Sequence, residues 1–248
     1  MRVLLLNANT NPAMTEHCLV AARAYAPDID FSGATGRFGS PHIGTRATYA
    51  IAAHAALDAY AAQAQDFDAV ILACFGDPGL AALKEIANVP VFGLAEAACR
   101  AAARRRQPFS IVTGGERWAA MLTDYLAPLG LTEHLASIRT VNVTGSQIMA
   151  DPDGSLSKLA EACEQAATDD GAASVILGGA GLVGLAPRVE TKMPIPLLDC
   201  LEPAIDAARN ANPRASTSAG TSIPTPAGFT GISAELARLV AVDLAKRA

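Results

Sequence analysis

The sequence has few aromatic residues, few charged residues and no long apolar run. Aromatic residues make up 5% and charged residues 17% of the 248 positions, and the net charge is −5. No stretch has the length and hydrophobicity of a membrane helix, and the opening residues lack the pattern of a signal peptide. No long basic run favours nucleic acid. We therefore expect a cytoplasmic protein that binds neither a membrane nor nucleic acid.

Cysteine and histidine are also scarce, and their spacing forms no recognisable site. The five cysteines contain no CxxC pair, and the four histidines form no HxH or HExxH pattern. A disulfide framework and a zinc site are therefore not expected, and we assign no metal ligands.

Short apolar runs alternate with longer alanine-rich stretches of helical period, which predicts an α/β protein with mostly parallel sheets. The predicted strands span residues 2–7, 28–32, 69–73, 90–93, 109–113, 138–142, 174–178 and 195–199. The predicted helices span residues 13–25, 46–65, 78–87, 95–106, 116–127, 154–168, 182–191, 201–211 and 232–246.

One strand–turn–helix–strand passage occurs twice. The first copy contains Val70-Ile-Leu-Ala-Cys74 and the second contains Val175-Ile-Leu-Gly-Gly179, so that Cys74 aligns with Gly179. The repeat predicts two pseudo-symmetric Rossmann-like halves, each an open, mostly parallel sheet flanked by helices, with the functional site between them.

The same repeat suggests a division of the chain. We assign residues 1–97 and 230–248 to the first half and residues 98–207 to the second. Residues 208–229 are rich in Ser, Thr, Pro and Gly, which is typical of a long loop, and we expect them to cross between the halves.

Polar turns follow the predicted strands at the edge where open α/β sheets bind ligands. Backbone N–H groups at the starts of helices favour an anion there. We predict that the substrate-binding residues in these turns are Asn9, Thr10, Phe75, Gly76, Thr113, Gly114, Gly115, Gly179, Ala180 and Gly181.

Cys74 is the candidate catalytic residue. It stands at a strand end before a predicted helix, and a helix N-terminus lowers the pKa of a thiol. A partly ionised thiol moves a proton at carbon or attacks an electrophile. The alternative is an inert buried cysteine, which is our interpretation of Cys18, Cys99 and Cys163.

The octapeptide Ala73-Cys-Phe-Gly-Asp-Pro-Gly-Leu80 resembles the first-cysteine motif of hydantoin racemases, in the aspartate/glutamate racemase superfamily. Further similar segments follow in the same order, at residues 7–10, 50–55, 93–97, 109–113 and 196–199. The resemblance implies two pseudo-symmetric halves with the site between them, and a substrate that is a hydantoin, an amino-acid derivative or a related carboxylate. It also implies an enzyme that needs no cofactor and forms a homo-oligomer.

The racemases of that superfamily place one cysteine on each face of the substrate carbon. Cys74 matches the first cysteine, whereas Gly179 stands in the place of the second. The resemblance therefore implies a hydantoin-racemase-like enzyme that moves a proton at a carbon α to a carbonyl or carboxylate but lacks the second thiol. The alternative is a decarboxylase, lyase or isomerase relative that protonates its substrate from the Cys74 side.

Several residues are candidates for the missing second base, and each also has a structural interpretation. Cys200 is expected to pack inward, His42 lies in a predicted loop, and Glu96 and Glu202 fall in early helix turns. Asp77 precedes Pro78 at a predicted helix start, where we expect it to act as an N-cap.

Two other functions fit parts of the sequence. Gly179-Ala-Gly-Leu-Val-Gly184 spells GxGxxG after a strand, and Asp199 follows at the spacing of an NAD-dependent dehydrogenase, although Pro187 shortens the next helix. Two α/β lobes around an anion-binding cleft also describe a non-catalytic small-molecule binding protein.

Overall fold

The computed structural model describes residues 1–63, 65–191, 193–211 and 229–246. Its strands are β1 (Arg2–Asn7), β2 (Asp30–Thr35), β3 (Ala69–Leu72), β4 (Val91–Gly93), β5 (Phe109–Gly114), β6 (Leu135–Val141), β7 (Ser174–Gly178) and β8 (Leu197–Asp199). Its helices are α1 (Pro12–Tyr25), α2 (Arg46–Ala61), α3 (Leu80–Ile86), α4 (Leu94–Ala103), α5 (Trp118–Leu126), α6 (Gly145–Ala150), α7 (Pro152–Thr168), α8 (Ala186–Glu190), α9 (Glu202–Arg209) and α10 (Ala234–Lys246).

The strands form two parallel four-stranded sheets with the same topology. The first sheet has the order β2-β1-β3-β4 and the second has the order β6-β5-β7-β8. We call the sheet β1–β4 with its helices the first half, and the sheet β5–β8 with its helices the second half. The central strands β3 and β7 are buried along their whole length, as strands covered by helices on both faces must be. The predicted α/β class with two similar halves is confirmed.

The two halves pack directly on each other. Helix α4 lies against α9, and the ring of Phe75 in the first half lies against Gly178 in the second. Helix α10 packs against α2, which belongs to the first half. The division into residues 1–97 with 230–248, 98–207 and 208–229 stays a prediction, because residues 212–228 of the expected crossing loop lie outside the described residues.

Besides shifted ends such as those of α2 and β6, three elements differ from the sequence-based prediction. Strand β2 begins at Asp30, because a turn closed by the Ile29 N–H and the Ala26 carbonyl precedes it. Helix α6 was not predicted. The helix expected at 182–191 is replaced by a 3-10 turn at Ala180–Leu182 and the short α8, since Gly184 has a φ of 81°.

Within the described part of the chain, no helix combines the length and the apolar character that crossing a bilayer requires.

Candidate active site

A cavity of about 70 Å³ lies where turns from the two halves meet, at the carboxyl ends of the central strands. Each of the strands β1, β3, β5 and β7 contributes lining residues from its end or from the turn that follows. The predicted site residues that line it are Asn9, Cys74, Phe75, Thr113, Gly114, Gly179, Ala180 and Gly181. The structure therefore brings these residues together, and their contact with a substrate stays a prediction.

The other predicted residues, Thr10, Gly76 and Gly115, are not among the lining residues. The Thr10 N–H donates to the Ser40 carbonyl at 3.1 Å, and the Gly115 N–H donates to the Val141 carbonyl at 3.0 Å. Both amides are thus hydrogen-bonded within the protein, contrary to the expectation that they hold an anion. The carbonyl of Gly76 accepts a hydrogen bond from the Tyr49 hydroxyl at 2.7 Å.

Cys74 is buried in the turn after β3, with 7% of its surface exposed. Its carbonyl accepts a hydrogen bond from the Asp77 N–H at 2.9 Å. Burial raises the pKa of the Cys74 thiol well above its ordinary value, and the nearby charges of Asp77 and Cys18 raise it further. The prediction of a lowered pKa was wrong, because α3 begins only at Leu80 and its N-terminus does not offset the burial. Near neutral pH Cys74 is therefore a thiol and a proton donor.

Asp77 caps a helix, but not the one that follows it in the chain. Gly79 occupies the N-cap of α3, whereas the Asp77 carboxylate accepts hydrogen bonds from the N–H groups of Ala95 at 3.0 Å and Glu96 at 2.7 Å in α4. The expectation of a local N-cap was wrong. Burial raises the Asp77 pKa to about 7, against the opposing effect of these hydrogen bonds. A Cβ at Gly93 would lie 2.2 Å from Asp77 Cγ, so this cap requires glycine there.

The orientation of the Asn9 amide is fixed by its neighbours. Its Oδ1 accepts hydrogen bonds from Asn7 Nδ2 at 2.9 Å and from the Asn11 N–H at 2.8 Å. Its Nδ2 has no hydrogen-bond partner among the described residues, although the residue is buried and lines the cavity. Asn9 therefore offers a pre-oriented N–H donor to a ligand.

Of the other candidate bases, His42 lines the cavity, whereas Cys200, Glu96 and Glu202 do not. Cys200 is fully buried, and its Sγ donates to the Gly179 carbonyl at 3.7 Å from behind the cavity lining. Glu96 is paired with Lys84 and with Arg100, and together with Glu202 it lines a separate crevice between α4 and α9. Cys74 is thus the only cysteine among the described residues that line the cavity.

The structure adds lining residues that the sequence did not reveal, among them Trp118 and Ser146. Ser146 lies in α6, which starts with a capping box formed by Thr144 and Gln147. The spacing Thr144-Gly-Ser-Gln147 is the signal that predicts such a helix start. No comparable local pattern marks Trp118, whose indole N–H donates to the Ile43 carbonyl in the first half at 3.1 Å.

The GxGxxG segment does not open a helix as a dinucleotide-binding motif does. Residues Ala180–Leu182 form a single 3-10 turn, and α8 starts only at Ala186. Asp199, which follows at the spacing of the dinucleotide fingerprint, accepts hydrogen bonds from the N–H groups of Gly184 and Leu201. The glycine-rich segment therefore forms the turn that follows β7.

Comparison with known proteins agrees with this architecture. Residues 3–208 match the family model described as Asp/Glu/Hydantoin racemase. The chain is 32% identical over 213 residues to a hydantoin racemase from Paenarthrobacter aurescens, which covers 85% of this chain and 90% of that protein.

Two solved structures are similar over most of their length. The allantoin racemase from Pseudomonas fluorescens has a TM-score of 0.81 and 31% identity, covering 84% of this chain and 89% of its own. The allantoin racemase from Klebsiella pneumoniae has a TM-score of 0.78 and 33% identity, covering 84% of this chain and 86% of its own. A match of this extent, on a fold with two parallel sheets and a cysteine between them, shows that the chain belongs to the Asp/Glu/hydantoin racemase family and has a racemase-type function.

Proposed function

We propose that the protein racemises a small uncharged ring of the hydantoin type by moving the proton on the carbon next to a ring carbonyl. The observation that carries this proposal is the composition of the cavity. Among the described residues, its lining contains a thiol, an imidazole, an amide and hydroxyl groups but no Asp, Glu, Lys or Arg. A charged amino acid would lose its hydration there without gaining an opposite charge, whereas a neutral ring would not.

The proposed chemistry uses Cys74 and Asn9 in different roles. Removal of the proton leaves an enolate, whose negative charge develops on the carbonyl oxygen. The Asn9 Nδ2 is oriented to donate a hydrogen bond to that oxygen, and such donors lower a barrier by a few kcal/mol each. The Cys74 thiol donates a proton to carbon from one side, and in the reverse direction the thiolate takes it back.

We also propose that Gly179 replaces the second catalytic cysteine, so that the enzyme works with one thiol. Phe75, Thr113, Gly114, Ala180 and Gly181 line the same cavity and complete the proposed substrate-binding set. The reaction needs no cofactor in this scheme, because both steps are proton transfers.

The formation of a homo-oligomer stays a prediction. Light scattering after gel filtration would measure the oligomeric state.

The test is to incubate single enantiomers of a 5-substituted hydantoin and of allantoin with the protein in D₂O. Loss of optical purity together with deuterium at the reacting carbon, above the rate without enzyme, is the expected result. The Cys74→Ala variant should be slower by about 100-fold or more, which is the usual contribution of a positioned acid or base.

Cys163→Ala is the matched control, because Cys163 is fully buried in α7 and does not line the cavity. It should retain the wild-type rate. No racemisation of either compound by the wild-type protein, or full activity of Cys74→Ala, would refute the proposal. Release of CO₂ from a malonate derivative without racemisation of hydantoins would favour the decarboxylase alternative.

A further inference from the structure

The cavity contains one titratable side chain besides Cys74. Among the described residues that line it, Cys74 and His42 are the only ones of a type that commonly acts as a general acid or base. His42 is partly buried and lies in the loop between β2 and α2. An imidazole is the side chain that most often serves as general acid or base near neutral pH.

The loop that carries His42 is fixed on both sides of this residue. The Thr10 N–H donates to the Ser40 carbonyl, and the Trp118 indole donates to the Ile43 carbonyl, each at 3.1 Å. The Ser40 hydroxyl also donates to the His42 carbonyl at 2.7 Å. Because Trp118 belongs to the second half, both halves hold the backbone around His42 in place.

The His42 imidazole lies against Gly44, which has no side chain. A Cβ placed on Gly44 would come within 2.7 Å of His42 Nε2. Gly44 therefore leaves the space that this ring occupies, two residues further along the same loop. An alanine at this position would move the ring without removing it.

Racemisation by a two-base route needs a proton-transfer group on each side of the flat enolate. The cavity supplies one thiol, and Gly179 supplies no side chain where the repeat would place another. Cys200 lies behind the lining, and Glu96 is held in its ion pairs. Among the described residues that line the cavity, His42 is the remaining group that can fill the second role.

We propose that His42 is the second acid–base residue and faces Cys74 across the substrate. This inference rests on the proposed function. In one direction the imidazole takes the proton from carbon, and the electron pair of the C–H bond passes to the carbonyl and forms the enolate. The enolate then takes the Cys74 proton on its other face, which leaves an imidazolium and a thiolate. The reverse direction starts from that ion pair, and proton exchange with water restores the resting form.

The test compares His42→Gln with His134→Gln, in the D₂O assay on both enantiomers. His134 lies near the amino ends of β5 and β6, away from the cavity, and serves as the matched control. We expect His42→Gln to lower kcat for racemisation by about 100-fold or more and His134→Gln to leave it unchanged. Circular dichroism and the unfolding midpoint of each variant show whether it is folded.

Two further variants separate proton transfer from a structural role. Imidazole added to His42→Gly should restore part of the lost rate, in proportion to its concentration, and should not accelerate Cys74→Ala. Gly44→Ala should lower kcat more than it changes KM, because the ring is displaced but present.

A His42→Gln enzyme within threefold of the wild-type rate, or a folded His42→Gly variant that imidazole does not accelerate, overturns the inference. In both cases the wild-type enzyme is active in the same assay, so the proposed function would stand. A wild-type protein that racemises neither substrate overturns the proposed function and this inference together.

Discussion

The Tyr125 hydroxyl in α5 donates a hydrogen bond to Asp77 Oδ2 at 2.8 Å, and this bond joins the second half to the turn that carries Cys74. The same carboxylate caps α4 through two backbone N–H groups. One buried side chain therefore links the turn after β3, the start of α4 and the helix after β5. Its protonation also affects the reactive thiol, because the Asp77 charge raises the pKa of Cys74.

Tyr125→Phe should destabilise the fold, since it removes one of three donors from a buried carboxylate. Hydrogen bonds to charged groups contribute about 1.5–3 kcal/mol, and we expect a loss of that size in the free energy of unfolding measured with urea. The control is Tyr60→Phe, where the hydroxyl bonds Asn88 at 3.3 Å in an exposed position. That variant should stay within about 0.5 kcal/mol of wild type, and equal losses in both variants would contradict the role of Tyr125.

Asp77 should make the stability of the fold depend on pH. Its pKa is raised to about 7 in the folded state, above the value of about 3.9 for an unfolded aspartate. Between these values the folded protein binds more protons than the unfolded chain, so the Asp77 contribution to stability falls as the pH rises from 4 to 7.

Asp77→Asn isolates this effect because the amide does not titrate. Asparagine presents one acceptor and one donor, so it cannot accept all three hydrogen bonds, and we expect a less stable protein at every pH. The difference in unfolding free energy between the wild type and this variant should decrease between about pH 5 and pH 8. Urea unfolding at both pH values measures it, and a constant or growing difference would show that the Asp77 pKa is not raised.

Gly76→Ala should disturb the packing of Trp118. Gly76 has a φ of 111°, and a Cβ there would lie 2.4 Å from the indole ring. We expect a loss of about 1–3 kcal/mol in stability and a shifted fluorescence emission. Trp118 is the only tryptophan, so the emission reports on the surroundings of this one indole.

The control for this prediction is Gly130→Ala. Gly130 has a φ of 67°, but a Cβ would meet nothing within 4 Å. It should lower stability through backbone strain while leaving the emission unchanged. An unshifted spectrum in Gly76→Ala would show that the indole does not pack on this turn.

Gly178→Ala should force Phe75 away from the second half. The added Cβ would lie 2.4 Å from the Phe75 ring, and overpacking of this kind costs about 1–3 kcal/mol. The double variant Phe75→Leu/Gly178→Ala removes the ring that the Cβ meets. It should be less destabilised than the sum of the two single variants, and additive losses would refute a direct contact.

The sequence predicted the fold class and most of the cavity because both depend on local patterns. The repeat around Cys74 and Gly179 revealed the two halves, and polar turns after strands indicated the lining. The errors arose where distant contacts decide the outcome. Asp77 caps a helix that begins seventeen residues later, at Leu94, and burial reverses the expected shift of the Cys74 pKa. The start of β2 depends on its pairing with β1, where Asp30 lies opposite Arg2.

In the proposed scheme, Cys74 has no second thiol opposite it, so the two sides of the reaction centre are chemically unlike. Mirror-image substrates have equal free energies in water, so the equilibrium constant for their interconversion is unity and kcat/KM must agree in both directions. Neither kcat nor KM is bound by that equality when it is taken alone. Turnover from the left-handed and right-handed forms can therefore saturate at different concentrations.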